Sequence, residues 1–370
     1  MVGNEGRIRV KYLISRGGYM YKKLSGRKTL LFLILAVAFI GFSTMRVNAA
    51  DGTYQYPLQP GTEEWADYNH GELVELLDIP VEELSLMSTE DLVHTVLEYP
   101  LFGDMYFYDN YQKGFEIVSS HFNGLSDLLG RENAGTVLLN HYSVLLNQKS
   151  DDNRYILSDL EAILAQPEIQ EKLSDEEKDT LANLISTKQT TRNTEYYFKS
   201  DTYQRCIEGQ DNENIMPIAN VILKTPNGTN VNAMTRGEQI TASDKAYMKN
   251  LVGQMYPSAV FLSEATTNYN CHSYAWYQQS TSNKYWINDP SPYWQDMSYK
   301  LLGSNNGNLL NNGIRVTYIG PTGSTDHSAI GNSTMEVVSK WGDYPLYRHL
   351  ITYCPYFYLG CINNYYQRWN

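Results

Sequence analysis

Tyr269-Asn270-Cys271-His272-Ser273-Tyr274-Ala275-Trp276-Tyr277 is the stretch on which the reading of this chain turns. If a helix begins at Cys271, Tyr274 and Ala275 lie one turn behind it and pack inward. The thiol then stands where unpaired N–H groups and the helix dipole favour an anion. That placement lowers a thiol pKa below its free value of roughly 8.5 and populates the nucleophilic thiolate. The same N–H groups suit a tetrahedral oxyanion. Cys271 is therefore the candidate nucleophile. The competing reading pairs it with Cys206 in a disulfide.

A thiolate of this kind needs a base. Asp326-His327-Ser328-Ala329-Ile330 offers one, with His327 opening an apolar strand behind the turn-rich Gly320-Pro321-Thr322-Gly323. Cys271 and His327 each begin an element, the arrangement expected of a helix packed on a sheet that carries a Cys–His dyad. A hairpin turn at Gly331-Asn332-Ser333-Thr334 would place Val338 or Ser339 opposite His327. Ser339 is the polar one and the candidate third residue, with Glu336 and His349 as alternatives.

Asn270-Cys271 and the His327-Ser328-Ala329-Ile330 strand resemble the cell-wall cysteine amidases of NlpC and CHAP type, over roughly residues 268–353. The tracts Asn270–Trp276 and Ser339-Lys340-Trp341-Gly342 also resemble an uncharacterised branch of secreted proteins in Gram-positive bacteria. The resemblance implies a papain-like α+β domain, a helix on an antiparallel sheet, that hydrolyses amide or peptide bonds, with Ser339 in the position of the family's polar third residue. Asn270, His272, Trp276 and Trp341 are the candidate substrate contacts. Two features depart from the family. The strand before the histidine runs Gly313-Ile314-Arg315-Val316 without the usual Gly-Asp, and the residue after the nucleophile is the bulky His272 rather than a small one.

The rest of the chain has two grammars. Residues 51–190 read as a helical domain: Ser88 caps a run with Leu92, Val93, Val96 and Leu97 on one face, Tyr111–Phe122 and Glu132–Gln148 repeat the spacing, Ser158 opens another helix, and Ser174-Asp175-Glu176-Glu177 is a capping box. His121 and His141 each stand alone on a helix face. Residues 191–214 are polar and suit a linker. From 215 to 370 strands dominate, with a turn at Pro226-Asn227-Gly228-Thr229 and a helix capped by Thr241 or Ser243. The fold class is α+β, an all-helical domain followed by a sheet domain.

Residues 1–50 read as a secretory signal, starting from Met20: Lys22, Lys23, Arg27 and Lys28 precede the apolar run Leu30–Phe42, and Val47-Asn48-Ala49-Ala50 offers a cleavage site. That region holds nine of the 29 Lys/Arg and one of the 41 Asp/Glu, so residues 51–370 carry 20 basic and 40 acidic residues, net −20. Such a surface repels nucleic acid and anionic lipid. Export permits a disulfide, for which Cys354 and Cys361 are the first candidates. No metal-ligand spacing or phosphate-binding glycine loop stands out, and no cofactor is expected. The sequence thus predicts an extracellular or cell-wall-associated cysteine hydrolase acting on a peptide or peptidoglycan-like substrate, without membrane insertion after cleavage. The alternative is a non-catalytic secreted binding or surface-structural protein on the same fold. N-terminal sequencing of exported protein should find Ala50 or Asp51 first; a chain that keeps residues 30–45 in the membrane would refute the signal.

Overall fold

The computed structural model describes residues 52–148, 153–191, 202–211 and 218–369. The signal region and the rest of the expected linker, 192–201 and 212–214, lie outside the described residues. Local rules set the helices. Helix α1 (His70–Leu76) opens with a full capping box between Asn69 and Glu72. After the single turn α2 (Val81–Leu84), α3 (Thr89–Leu97) is capped by Ser88, whose hydroxyl accepts from the N–H of Asp91. Asn110 caps α4 (Tyr111–His121) in the same way. There follow α5 (Asn123–Gly130), α6 (Ala134–Gln148), α7 (Arg154–Leu164), α8 (Pro167–Gln170), α9 (Asp175–Thr191) and α10 (Thr202–Asp211). Ser174 and Glu177 form the expected capping box ahead of α9. Ser158 does not open a helix; it lies inside α7, buried.

The second half is mostly sheet. Strands β1 (Ala219–Lys224) and β2 (Asn230–Thr235) make a hairpin across the expected turn, and Thr241 caps α11 (Ala242–Met255). Strands β3 (Val260–Ser263), β4 (Tyr299–Ser304), β5 (Arg315–Ile319), β6 (Thr325–Gly331), β7 (Glu336–Lys340), β8 (Leu346–Leu350) and β9 (Ile362–Arg368) form one antiparallel sheet in the order β3-β8-β7-β6-β5-β9-β4. The short α12 (Pro292–Gln295) precedes β4. The chain is thus mixed helix and sheet, helical first and antiparallel later.

Separate domains joined by a linker were expected; the described residues from 52 to 369 cluster as one compact unit. The larger of two hydrophobic cores takes Leu92, Phe107 and Leu138 from the helices together with Tyr318, Trp341 and Tyr356 from the second half. Phe107 is the clearest link, its ring centroid 4.6 Å from Tyr344, 5.6 Å from Trp341 and 6.1 Å from Tyr256. Polar groups join the halves as well. Asp104 takes His70 Nε2 at 2.6 Å and Tyr256 Oη at 2.8 Å, while His70 Nδ1 meets the Phe357 carbonyl at 2.7 Å. Helix α10 occupies part of the supposed linker, with Thr202 and Cys206 buried, because its few apolar groups all face the core.

One glycine is required by this joint. Gly342 has φ +49°, and a Cβ there would lie 2.6 Å from the Phe107 carbonyl, so only glycine lets the β7–β8 turn reach the segment before α4. Phe107→Ala should cost about 3–5 kcal/mol. Far-ultraviolet circular dichroism and tryptophan fluorescence should still report one shared unfolding transition. Two separated transitions, or a cooperatively folded fragment of residues 218–370, would contradict the shared core.

Candidate functional site

Asn270 fixes the start of the Cys271 helix. Its Oδ1 accepts the Ser273 N–H at 3.0 Å and the Ile287 N–H at 3.3 Å; its Nδ2 donates to Asp109 Oδ2 at 2.6 Å and to the Ile287 carbonyl at 2.8 Å. The chain then turns through Cys271 and His272 into the π-helical Ser273–Tyr277. A helix does begin at Cys271, but it is under two turns long. Asn270 is fully buried, so it holds the framework and does not line a substrate surface.

The thiol does not have the expected environment. Cys271 is 1 % exposed. Burial drives its pKa well above the ordinary value and Asp109 adds to the rise, while the Ser328 and His272 backbone N–H groups and the Lys340 charge pull the other way and lose. The expectation of a lowered pKa is therefore corrected. A short helix end is worth about 0.3–1 kcal/mol to a charge, whereas full desolvation moves a pKa by up to 3–5 units at 1.36 kcal/mol each. Cys271 is a free thiol, as are Cys206, Cys354 and Cys361, so neither the Cys354–Cys361 bridge nor the Cys206–Cys271 bridge is formed.

His327 is not hydrogen-bonded to Cys271. Strand side chains alternate between faces. Ser328 faces the Cys271 helix, taking the Trp276 indole N–H at 2.9 Å and meeting His272 Nδ1 at 2.8 Å. His327 therefore takes the other side of the strand, where its ring stacks on Tyr356 with centroids 3.6 Å apart and planes 5° apart; that tyrosine is itself near enough to Cys271 for the thiol to add to the rise that burial gives its pKa. Neither of its ring nitrogens has a hydrogen-bond partner among the described residues. Burial, with His272 and His349 adding to it, holds its pKa well below the usual histidine value.

Ser339 is committed elsewhere. The β6–β7 register pairs Ile330 with Val338 and Gly331 with Val337, so Val338 sits three residues along β6 from the position expected. Gly331 ends the strand instead of starting the turn. Ser339 Oγ meets His349 Nε2 at 2.8 Å and accepts the Trp341 N–H at 3.0 Å. Of the alternatives, His349 is used in that bond and Glu336 faces Arg348 at 3.7 Å. Trp341 and Trp276 are both buried. Trp341 packs against Phe107 and Tyr256, and Trp276 against Tyr293, Trp294, Tyr299 and Tyr366. They are core residues and do not line a cleft.

What meets Cys271 instead is Asp109 and His272: one ligand atom from each of the three lies within 4.8 Å of the others. His272 is neutral, its pKa pushed down to about 3 by burial and by the Lys113 charge. Ser328 Oγ already accepts an indole proton, so its own proton is available to His272 Nδ1, which favours the Nε2-protonated ring. Lys340 Nζ donates to the Thr266 and Gly342 carbonyls at 3.0 and 2.7 Å, and its charge is felt at both Asp109 and Cys271. A protonated thiol beside an ammonium is a poor metal site. Asp109 was absent from the sequence reading because it comes from the helical half; the signal was its place just before the N-cap Asn110.

A separate concavity lies between α7 and α11, a cavity of about 170 Å³ whose lining includes Phe102, Tyr106, Tyr155, Asp159, Tyr247 and Tyr344. Tyr155 and Tyr247 stack with centroids 3.6 Å apart. Tyr106 Oη donates to Asp159 Oδ1 at 2.6 Å, and no hydrogen bond reaches Oδ2 from the described residues. Desolvation lifts Asp159 to about 7 against that hydrogen bond.

Asp109 is likewise raised, to about 7, by desolvation first, with Asp343 adding and Asn270, Arg236 and Lys340 opposing. Its unfolded value is about 3.9. Between these values the folded state keeps a proton that the unfolded state has lost, so this group makes stability fall as pH rises from about 4 to about 7 and has no further effect above. Asp109→Asn, which can still accept from Asn270, should remove that fall. Urea midpoints across pH 4–8 should show the variant gaining on the wild type up to about pH 7; parallel curves would refute the raised pKa. No protein-family model matches this chain, and no curated protein or solved structure matches it.

Proposed function

We propose that this chain is a secreted binding protein on a papain-like framework, that the Cys271 constellation is structural, and that the aromatic cavity receives a cationic side chain of a peptide. The burial of Cys271 carries the first part: a thiol 1 % exposed, with its pKa raised, offers neither access nor thiolate. The helix starting at Cys271 and the antiparallel sheet behind it support the papain-like framework.

The cavity supports the second part. Whole small-molecule ligands occupy about 300–1,000 Å³, so 170 Å³ suits one side chain. Tyrosine faces attract a cation, and Asp159 Oδ2 is available as its counter-charge. The net charge of −20 over residues 51–370 steers cationic peptides inward. A lysine-bearing stem peptide of the cell wall has this chemistry.

A second reading, the cysteine hydrolase, is favoured by one observation, the approach of Asp109, Cys271 and His272 to within 4.8 Å. Two measurements separate the readings. Iodoacetamide should label Cys271 in the native protein at least about 100-fold more slowly than in denaturant, since the thiol must first open to solvent; rapid native labelling at neutral pH that slows in His272→Ala would favour the hydrolase. A lysine-containing wall peptide should bind, and Asp159→Asn or acetylation of the lysine should weaken it about tenfold or more. Binding should also weaken as pH falls below about 7, where Asp159 takes up its proton. Equal affinity for the lysine and acetyl-lysine peptides would end the cavity assignment.

A further inference from the structure

Glu90 and His94 are four residues apart on α3 and so project from the same face of that helix. Leu92, Val93 and Val96 are buried, which turns Glu90 and His94 outward; both are exposed. On the neighbouring helix α6, His141 is not the lone residue its sequence context suggests. Its Nε2 meets Glu90 Oε1 at 2.7 Å, and its ring stands edge-on to His94 with centroids 4.7 Å apart. One ligand atom from each of the three residues lies within 4.8 Å of the other two.

We propose that Glu90, His94 and His141 form a zinc site that clips α3 to α6. Two imidazoles and one carboxylate are a donor set for Zn²⁺, whereas Mg²⁺ and Ca²⁺ prefer all-oxygen shells. Metal–ligand bonds of about 2.0–2.1 Å at tetrahedral angles require ligand atoms about 3.3 Å apart. The set meets this with small rotations: the Glu90–His141 contact opens by about 0.6 Å as the metal replaces the shared proton, and His94 closes onto it.

The supports for these ligands are rigid. The Ser88 cap fixes the first turn of α3 on Asp91, and Thr89 Oγ1 donates to Asn133 Oδ1 at 2.7 Å, pinning the start of α3 beside the start of α6. The Cys271 constellation takes its members from elsewhere, Asp109 before α4 and His272 beside the thiol. Three protein ligands leave the fourth position to water or to a donor from outside. Leu97, at the end of α3, also lines the aromatic cavity, so the clip would brace one wall of it.

The test uses the full chain, stripped with a chelator and titrated with Zn²⁺ against a chromogenic competitor. One equivalent should bind at micromolar or tighter affinity and raise the melting temperature. His94→Ala and His141→Ala should each weaken binding at least about tenfold and abolish the melting shift, with circular dichroism of the metal-free variants unchanged, because neither side chain belongs to the hydrophobic core: His94 is exposed, and the His141 side chain, 13 % exposed, lies beside the exposed Glu90. Cys271→Ala should retain the site. Wild-type affinity in both histidine variants, loss of binding in Cys271→Ala, or no binding at 100 µM Zn²⁺ (about 100-fold above the affinity expected) would each overturn it.

Discussion

The four hydrogen bonds of the Asn270 side chain hold the site in place. A carboxamide can accept two and donate two, and here all four positions are filled inside the protein. They join three pieces of chain with no local reason to meet: the segment before α4, through Asp109; the loop at Ile287; and the helical turn from Cys271. Loss of the side chain would strand several buried polar groups, each at about 1–3 kcal/mol. This explains why the turn exists although it is too short to be stable alone. It also fixes Asp109 beside the thiol, and so sets the electrostatics there.

That contact helps explain why the Cys271 thiol lacks the lowered pKa that its sequence context suggests. A helix start and two backbone N–H groups do favour a thiolate, as the sequence suggests. Opposing them are near-complete desolvation and a carboxylate. Desolvation is the largest of these effects, and it is invisible in local sequence because it depends on how tightly the helical half closes over Cys271. Lys340 is buried in the same place, its pKa lowered to about 8 by desolvation against the pull of Asp343 and Asp109. Lys340, Asp109, Asp343 and Arg236 form a charge cluster at the joint between the halves, with Arg236 meeting Asp343 at 2.8 Å and lying over Trp286.

What was legible in the sequence was mostly local. The caps at Ser88, Ser174 and Thr241 form as read, because each needs only a side chain and a backbone N–H three residues on. The Pro226–Thr229 turn joins β1 to β2, with Gly228 at φ +93° as such a turn demands. Long-range facts were hidden. Strand β9 lies between β5 and β4, yet Asn363-Asn364 lacks the apolar alternation that marks a strand. Helix α10 looked like a linker because few of its residues are aliphatic. Asp109 has no motif of its own and becomes significant only when the halves close.

His327 shows most plainly how one register decision governs chemistry. Placing a histidine at the opening of a strand says nothing of which face it takes. Here the face is set by Ser328, which must satisfy both His272 and the Trp276 indole on the helix side. With Ser328 held there, His327 is turned toward Tyr318 and Tyr356. A buried imidazole without partners is tolerable only uncharged, because an unpaired charge in that position costs far more than an unmade hydrogen bond. The downward push on its pKa is that same cost seen from the proton's side. A ring kept neutral and stacked face to face on tyrosine does not supply, in this arrangement, the imidazolium partner that lowers a thiol pKa.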